Sequence, residues 1–466
     1  MSTLLPMWPQ SKRRSRTLRR NGFIFVLCCL VFSLWKTDLL YDLKSSGFKI
    51  TNHAGSRKSN SKAVLPCRTL PGADETLVIL KTGATELQDR LPVHLKTTFR
   101  CYPHYIIVSD HAEAFQGETI RDVLGTSVST EKLDAHADFG LYRRLRDSGR
   151  KALEISELSG SESQETNWSG NRGNRGWKVD KWKFLPMVNS TYYEFPQFRW
   201  YVFLEADTYV MWATLLQYLQ ALDSRKEYYL GNQMVIGEDV FAHGGSGFVV
   251  SNPAMKVMVD YYRQYKGELE AYTDWHWAGD CVLGMAFKKA KIPLTYAWPI
   301  IQEGYPGVVP YGKRNDASIP DPRKRLWCYP TASFHHVSPE MVEDLWEFEM
   351  QWLEKKGKDE KPWLRHKEFF EQYLLPRMRE TSTDWDSEND LDQGLGLSLD
   401  ECEAKCKATA ECMQWSLEKN GGLCKIRNDP GLGKYKANVT SGWMYDRIVK
   451  FTQDQAPCGD EGWILK

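Results

Sequence analysis

Residues 198 to 211, Phe-Arg-Trp-Tyr-Val-Phe-Leu-Glu-Ala-Asp-Thr-Tyr-Val-Met, carry an unbroken apolar run into two carboxylates, Glu205 and Asp207, one small residue apart. A run this rich in aromatic and β-branched side chains predicts a buried strand. Sheets of α/β proteins gather ligands outside the carboxyl ends of such strands. Carboxylates placed there are unfavourable without a positive partner. A hard divalent cation carrying a diphosphate supplies one, because oxygen ligands suit Mg²⁺ or Mn²⁺. The plainer reading is an acidic strand end that caps a following helix.

Two further segments repeat the strand-then-turn pattern. Thr76-Leu-Val-Ile-Leu80 runs into Lys81-Thr82-Gly83-Ala84, and Tyr105-Ile-Ile-Val108 runs into Ser109-Asp110, with a helix expected over His94 to Arg100 between them. This β-α-β alternation predicts a parallel sheet covered by helices, with both turns on the edge that carries Glu205 and Asp207. Ser156 to Gly176 shifts to Ser, Glu, Asn and Gly and reads as a solvated insertion loop. Helical character resumes from Trp177 to Pro186, and again from Leu215 to Leu222. Gly244-Gly-Ser-Gly-Phe-Val-Val-Ser251 reads as a loop entering a strand, and residues 339 to 378 as largely helical.

The ends of the chain differ from its middle. Six basic residues between Lys12 and Arg20 precede the apolar stretch from Phe23 to Trp35. A basic flank before a greasy core orients the N-terminus to the cytosol, and the shortness of the core leaves a signal-peptide segment as the rival reading. With no convincing small-x-small cleavage site following, the expectation is a single-pass type II membrane protein of the Golgi or endoplasmic reticulum. It would have a tail at 1–21, a signal anchor at 22–41, a stem at 42–73 and its bulk in the lumen. Three sequons, at Asn167, Asn189 and Asn438, agree with that side. Lys plus Arg number 61 against 60 Asp plus Glu, so charge gives no case for nucleic acid. Of the 11 cysteines, Cys402, Cys406, Cys412, Cys424 and Cys458 crowd the C-terminus, which in an oxidising compartment means disulfides. Nine cysteines lie past the anchor, so at least one is free or pairs between chains.

Four segments taken together resemble the Fringe-like glycosyltransferases of family 31, most closely the core-1 type β1,3-galactosyltransferases. They are Leu80-Lys-Thr-Gly83 with Arg100-Cys101 and Val108-Ser-Asp110; Phe203-Leu-Glu-Ala-Asp-Thr-Tyr-Val210; Gly244-Gly-Ser-Gly-Phe248; and Asp280-Cys-Val-Leu-Gly284 with Ala332-Ser-Phe-His-His336. The resemblance covers residues 75 to 350 and implies a Rossmann-like (GT-A type) α/β domain at 74–378. Such a domain binds a UDP-sugar with a divalent metal, usually Mn²⁺, and transfers the sugar with inversion to a glycan or glycoprotein acceptor.

By the same resemblance the acidic motif falls on Glu205-Ala206-Asp207, with Asp207 as principal metal ligand, Glu205 beside it and His335 as the distant third ligand. His336 is its rival. The motif departs from three aspartates, which places metal affinity and donor choice in question. Asp280 is the implied base; flanked by Trp275, Trp277 and apolar Val282-Leu283, its carboxylate could be desolvated toward useful basicity, or could cap the helix Cys281 to Lys289. For the donor, Thr82 and Gly83 allow close backbone approach and Asp110 could accept from uracil or ribose. Arg100 and Lys181 are candidates for diphosphate or uridine, and Ala206, Gly244 and Gly245 line the transferred sugar. Trp275, Trp277 and Tyr305 could stack on the acceptor, although packing explains most aromatics equally well.

After a Ser-, Asp- and Gly-rich linker at 379–396, the cysteine spacing and Ser441-Gly-Trp443 resemble a PAN or apple-type module at 397–466. That resemblance implies nested pairs Cys402 with Cys424 and Cys406 with Cys412, while spacing alone leaves connectivity open. Such a module binds protein or carbohydrate. A reading of another class follows from it: a membrane-held, lectin-like scaffold whose transferase head has decayed.

Overall fold

The computed structural model describes residues 65–159, 175–312, 326–356, 361–459 and 462–463. The proposed tail, the anchor, the stem up to residue 64 and the Asn167 sequon lie outside these residues. Among the described residues no helix is long and apolar enough to cross a membrane.

Strand β1 (Thr76–Lys81) pairs in parallel with β2 (Tyr105–Ser109), and β2 with β4 (Glu118–Asp122), which also takes the short antiparallel β3 (Glu113–Phe115) at the edge. On its other side β1 pairs in parallel with β5 (Trp200–Glu205). Beyond β5 come a two-residue strand β6 (Tyr209–Val210), then β7 (Tyr229–Gly231), a hairpin of β8 (Gln233–Ile236) and β9 (Asp239–Ala242), β10 (Phe248–Ser251) and β11 (Leu294–Tyr296). The eight-stranded sheet runs β11-β7-β10-β5-β1-β2-β4-β3. It is the parallel-centred α/β sheet expected of a Rossmann-like glycosyltransferase domain.

The apolar runs are continuous because both faces of the sheet are covered. Leu77, Ile79, Tyr201 and Phe203 pack on one side against Val179, Leu185, Val282 and Phe287. Val78, Leu80, Val202 and Leu204 pack on the other against Leu87, Leu91, Trp212 and Leu215. The helix after β1 spans Leu87–Lys96, earlier than the expected start at His94, and Thr98–Arg100 is a separate 3-10 turn. The helix bearing Asp280 spans Gly279–Lys289, starting two residues before the expected Cys281. Residues 160–174 of the expected insertion loop lie outside the described residues.

The 379–396 linker reading is corrected by the structure. It contains β13 (Ser382–Asp386) and β14 (Leu391–Gly394), which follow the two-residue β12 (Ser333–Phe334) in the chain. With β15 (Gln414–Glu418), β16 (Leu423–Arg427) and β17 (Lys434–Trp443) they form a sheet of order β13-β17-β15-β16-β14. The segment looked like a linker because β13 and β14 are edge strands, where polar and charged residues are favoured. Disulfides Cys402–Cys424 and Cys406–Cys412 join the helix Leu399–Ala408 to its surroundings. Cys67–Cys101 and Cys328–Cys458 are also bonded, and Cys281 is the free cysteine among the described residues.

The C-terminal sheet is not a separate bead. Trp443 and Ile448 share one apolar cluster with Tyr209, Phe334, Val337 and Trp327, and Cys458 is tied to Cys328. Burying such side chains is worth roughly 1.5–3 kcal/mol each, so this interface belongs to the fold of the whole unit.

Candidate active site

Asp207 and His335 meet because β6 and β12 pair antiparallel, Tyr209 opposite Phe334 and Val210 opposite Ser333. Backbone bonds on both sides fix the crossing: Val337 N–H donates to the Asp207 carbonyl at 3.0 Å, and Met211 N–H to Ala332 at 2.9 Å. Below the ribbon, buried Glu349 accepts from the Tyr209 hydroxyl at 2.7 Å and from Ala213 N–H at 3.1 Å. Consequently Asp207 Oδ1 stands 3.4 Å from His335 Nε2, and Asp207 Oδ2 stands 3.9 Å from His336 Nδ1.

One donor atom from each of Asp207, His335 and His336 lies within 4.8 Å of the others, a spread that a single ion could bridge. One carboxylate with two imidazoles is a mixed oxygen and nitrogen set, which suits a first-row divalent ion such as Mn²⁺ better than Mg²⁺. Electrostatics within the cluster agree. Burial would raise Asp207, but His335 beside it holds its carboxyl well below the usual range. Burial pulls His335 down, and Asp207 more than reverses this, leaving the imidazole raised. Burial, with the charges of His335 and Lys434, holds His336 down at about 4, so that ring is neutral at physiological pH.

Glu205 does not join this group. In the parallel register Lys81 lies directly opposite Glu205, and Lys81 Nζ sits 3.2 Å from Glu205 Oε1 and 2.5 Å from Asp180 Oδ2. The structure thus turns the first acid of the motif toward a buried lysine instead of the donor cluster. Burial raises the Glu205 carboxyl, with the Lys81 charge opposing.

The glycine loop links the cluster to Asp280. Gly244 N–H donates to Asp280 Oδ2 at 2.9 Å, and Cys281 N–H to Asp280 Oδ1 at 2.9 Å. Thr208 Oγ donates to the Gly245 carbonyl at 2.6 Å, and Ser333 Oγ to the Ser246 carbonyl at 2.8 Å, so the loop is pinned to the ribbon that carries the cluster. A Cβ at Gly245 would overlap the His335 ring, and one at Gly244 would meet Phe184 and the Glu205 carboxylate. Both glycines are therefore required by close approach. Burial raises the Asp280 carboxyl, with the Gly244 and Cys281 N–H groups pulling the other way. The helix cap is Ala278, not Asp280, which stands in the first turn and stays partly exposed.

At the end of β1 the structure brings Thr82, Gly83 and Asp110 together around Lys183. Lys183 Nζ donates to the Thr82 carbonyl at 2.9 Å and lies 3.1 Å from Asp180 and 3.7 Å from Asp110. Asp110 accepts from Ala84 N–H at 2.8 Å and keeps its second oxygen buried without a hydrogen-bond partner. Thr82 Oγ donates to Glu86 Oε1 at 3.2 Å, and burial pushes the Glu86 carboxyl up to about 7. Ala206 is buried, its carbonyl bonded to His94 Nε2 at 2.9 Å.

Three candidates are not brought to the site. Arg100 precedes β2 at its amino end and lies over the Trp346 ring, 5.0 Å from its centre. Lys181 is engaged by Asp138 at 2.9 Å and by the Asp274 carbonyl at 2.9 Å. Tyr305 is 2% exposed and packs beneath the C-terminal sheet, so it offers no stacking face. Trp275 and Trp277 do present surface, at 71% and 38% exposure, a few residues before Asp280. Trp277 also stacks on Trp177, with ring centres 6.1 Å apart.

A parallel-centred sheet with a carboxylate and imidazole cluster outside its strand ends is the α/β arrangement in which ligands collect at the carboxyl ends of the strands. The Fringe-like family model matches residues 177–298, the stretch from the helix Arg175–Asp180 to the loop after β11, and supports a glycosyltransferase of that family. No curated protein matches the chain.

Proposed function

We propose that the protein is an inverting, metal-dependent glycosyltransferase. It moves a hexose, galactose in a β1,3 linkage by family resemblance, from a UDP-sugar to a glycan or glycoprotein in the secretory pathway. The observation that carries this reading is the Gly244-Gly245 loop, which bonds Asp280 through one glycine and lies against His335 through the next. A base and a candidate cation site are thereby held at fixed separation by one rigid turn.

In the reaction, Asp280 accepts the proton of the acceptor hydroxyl, whose oxygen attacks the anomeric carbon opposite the leaving group. The bond from that carbon to the diphosphate oxygen breaks, and its electron pair leaves with UDP. Asp207, His335 and His336 would hold a divalent cation, which would supply positive charge to a diphosphate there. Thr82, Gly83 and the Asp110 oxygen that has no hydrogen bond receive the nucleoside, with Lys183 fixing the turn. Trp275 and Trp277 offer ring faces to the acceptor. Four disulfides and the exposed sequon at Asn438 suit a luminal location.

The direct test supplies labelled UDP-sugars, with Mn²⁺, to the purified protein and a mixed panel of glycan acceptors. Transfer of label from UDP-galactose is expected. No transfer from any UDP-sugar, together with retained glycan binding, would favour the scaffold reading.

A further inference from the structure

The C-terminal sheet is built against the segment that holds His335. Gly304 accepts the His335 N–H at 3.2 Å, and three residues on Gly307 accepts the Gly433 N–H at 3.2 Å. Gly433 has φ +77°, and a Cβ there would overlap the Asp386 carbonyl; a Cβ at Gly307 would overlap Gly433 itself. Backbones this close leave the start of β17 no room to drift. Its first residue, Lys434, holds Nζ 5.4 Å from the centre of the Tyr305 ring and 3.0 Å from Glu388 Oε1, with half of its side chain exposed.

Lys434 is not alone on that side. Arg90, from the helix after β1, donates to the Val337 carbonyl at 3.0 Å, two residues past His335. Gly304, which accepts the His335 N–H, directly precedes Tyr305, the ring beneath Lys434. Arg90 lies 3.4 Å from Asp89 Oδ2 and Lys434 3.0 Å from Glu388 Oε1, so an acid positions each cation. A diphosphate, the anion that a nucleotide-sugar site brings, would be drawn to both cations.

We propose that Lys434, supplied by the C-terminal module, binds the diphosphate of the donor nucleotide, making that module part of the donor site. This rests on the glycosyltransferase reading above. The ammonium acts as a point charge on phosphate oxygens, and Glu388 and Tyr305 set its position.

The test titrates the purified full-length protein with UDP and, separately, with uridine, each with Mn²⁺ present. Lys434→Met is expected to weaken UDP about 10- to 100-fold, the range for a lost charge-assisted contact, with uridine binding unchanged. Lys434→Arg should retain UDP, and Lys436→Ala, on the same strand, should leave it as in wild type. The double variant Lys434→Met/Glu388→Gln guards against an effect of the unpaired carboxylate and should match Lys434→Met. Equal weakening of UDP and uridine, or no weakening of either, overturns the proposal. A wild-type protein that fails to bind UDP at all overturns the glycosyltransferase reading and this inference with it, a result distinct from wild-type binding that Lys434→Met leaves intact.

Discussion

Asp280→Asn is expected to lower sugar transfer by about 10²- to 10⁴-fold, the usual contribution of a positioned general base, while UDP still binds with Mn²⁺. The amide keeps the shape of the carboxylate and can still accept from Gly244 N–H, but it cannot take a proton. Initial rates at saturating donor and acceptor measure the loss, and a rate near wild type would remove Asp280 from its role. The pH profile gives a second reading of the same group. A base works only when deprotonated, and burial raises Asp280 above the usual carboxylate range. Wild-type activity should therefore fall on the acid side as pH drops through that raised pKa, earlier than an exposed aspartate would allow. Residual activity of Asp280→Asn should lack this acid limb.

The second large effect belongs to Asp207. Both of its oxygens face imidazoles, at 3.4 Å and 3.9 Å, so Asp207→Asn removes the one anionic ligand of the cluster. Metal affinity is expected to fall by at least ~10²-fold, given that even supporting residues around a metal contribute 10- to 100-fold. Transfer should vanish at ordinary Mn²⁺ and return in part at high Mn²⁺. Glu205→Gln should do much less to metal affinity, because Glu205 is held by Lys81. If the two variants lost Mn²⁺ affinity equally, the assignment of Glu205 to Lys81 would be wrong.

The two central strands were legible because a run such as Trp200 to Leu204 is buried on both faces and needs no periodic signal. The partners of the acidic motif were not. Which residue lies opposite Glu205 depends on the parallel register with β1, and no local feature distinguishes Lys81 from a solvated lysine at a strand end. Lys183 and Lys181 are equally hard to tell apart from the sequence. The two stand at the turn between helices Arg175–Asp180 and Phe184–Glu194, and only the packing of that turn on β1 decides which ammonium points in. Asp207 and His335, by contrast, could be matched from the sequence through the resemblance, and the β6–β12 ribbon brings them together. The C-terminal region misled because edge strands read as linker. Nothing in its composition announces that Gly307 and Gly433 lie backbone to backbone.

The central claim is that Asp207, His335 and His336 hold a divalent cation together with a uridine diphosphate. Calorimetric titration of UDP into the purified protein, once with Mn²⁺ and once with a chelator, tests it most directly. The account predicts heat of binding with Mn²⁺ and its near-complete loss with the chelator. UDP binding of equal strength under both conditions would contradict it.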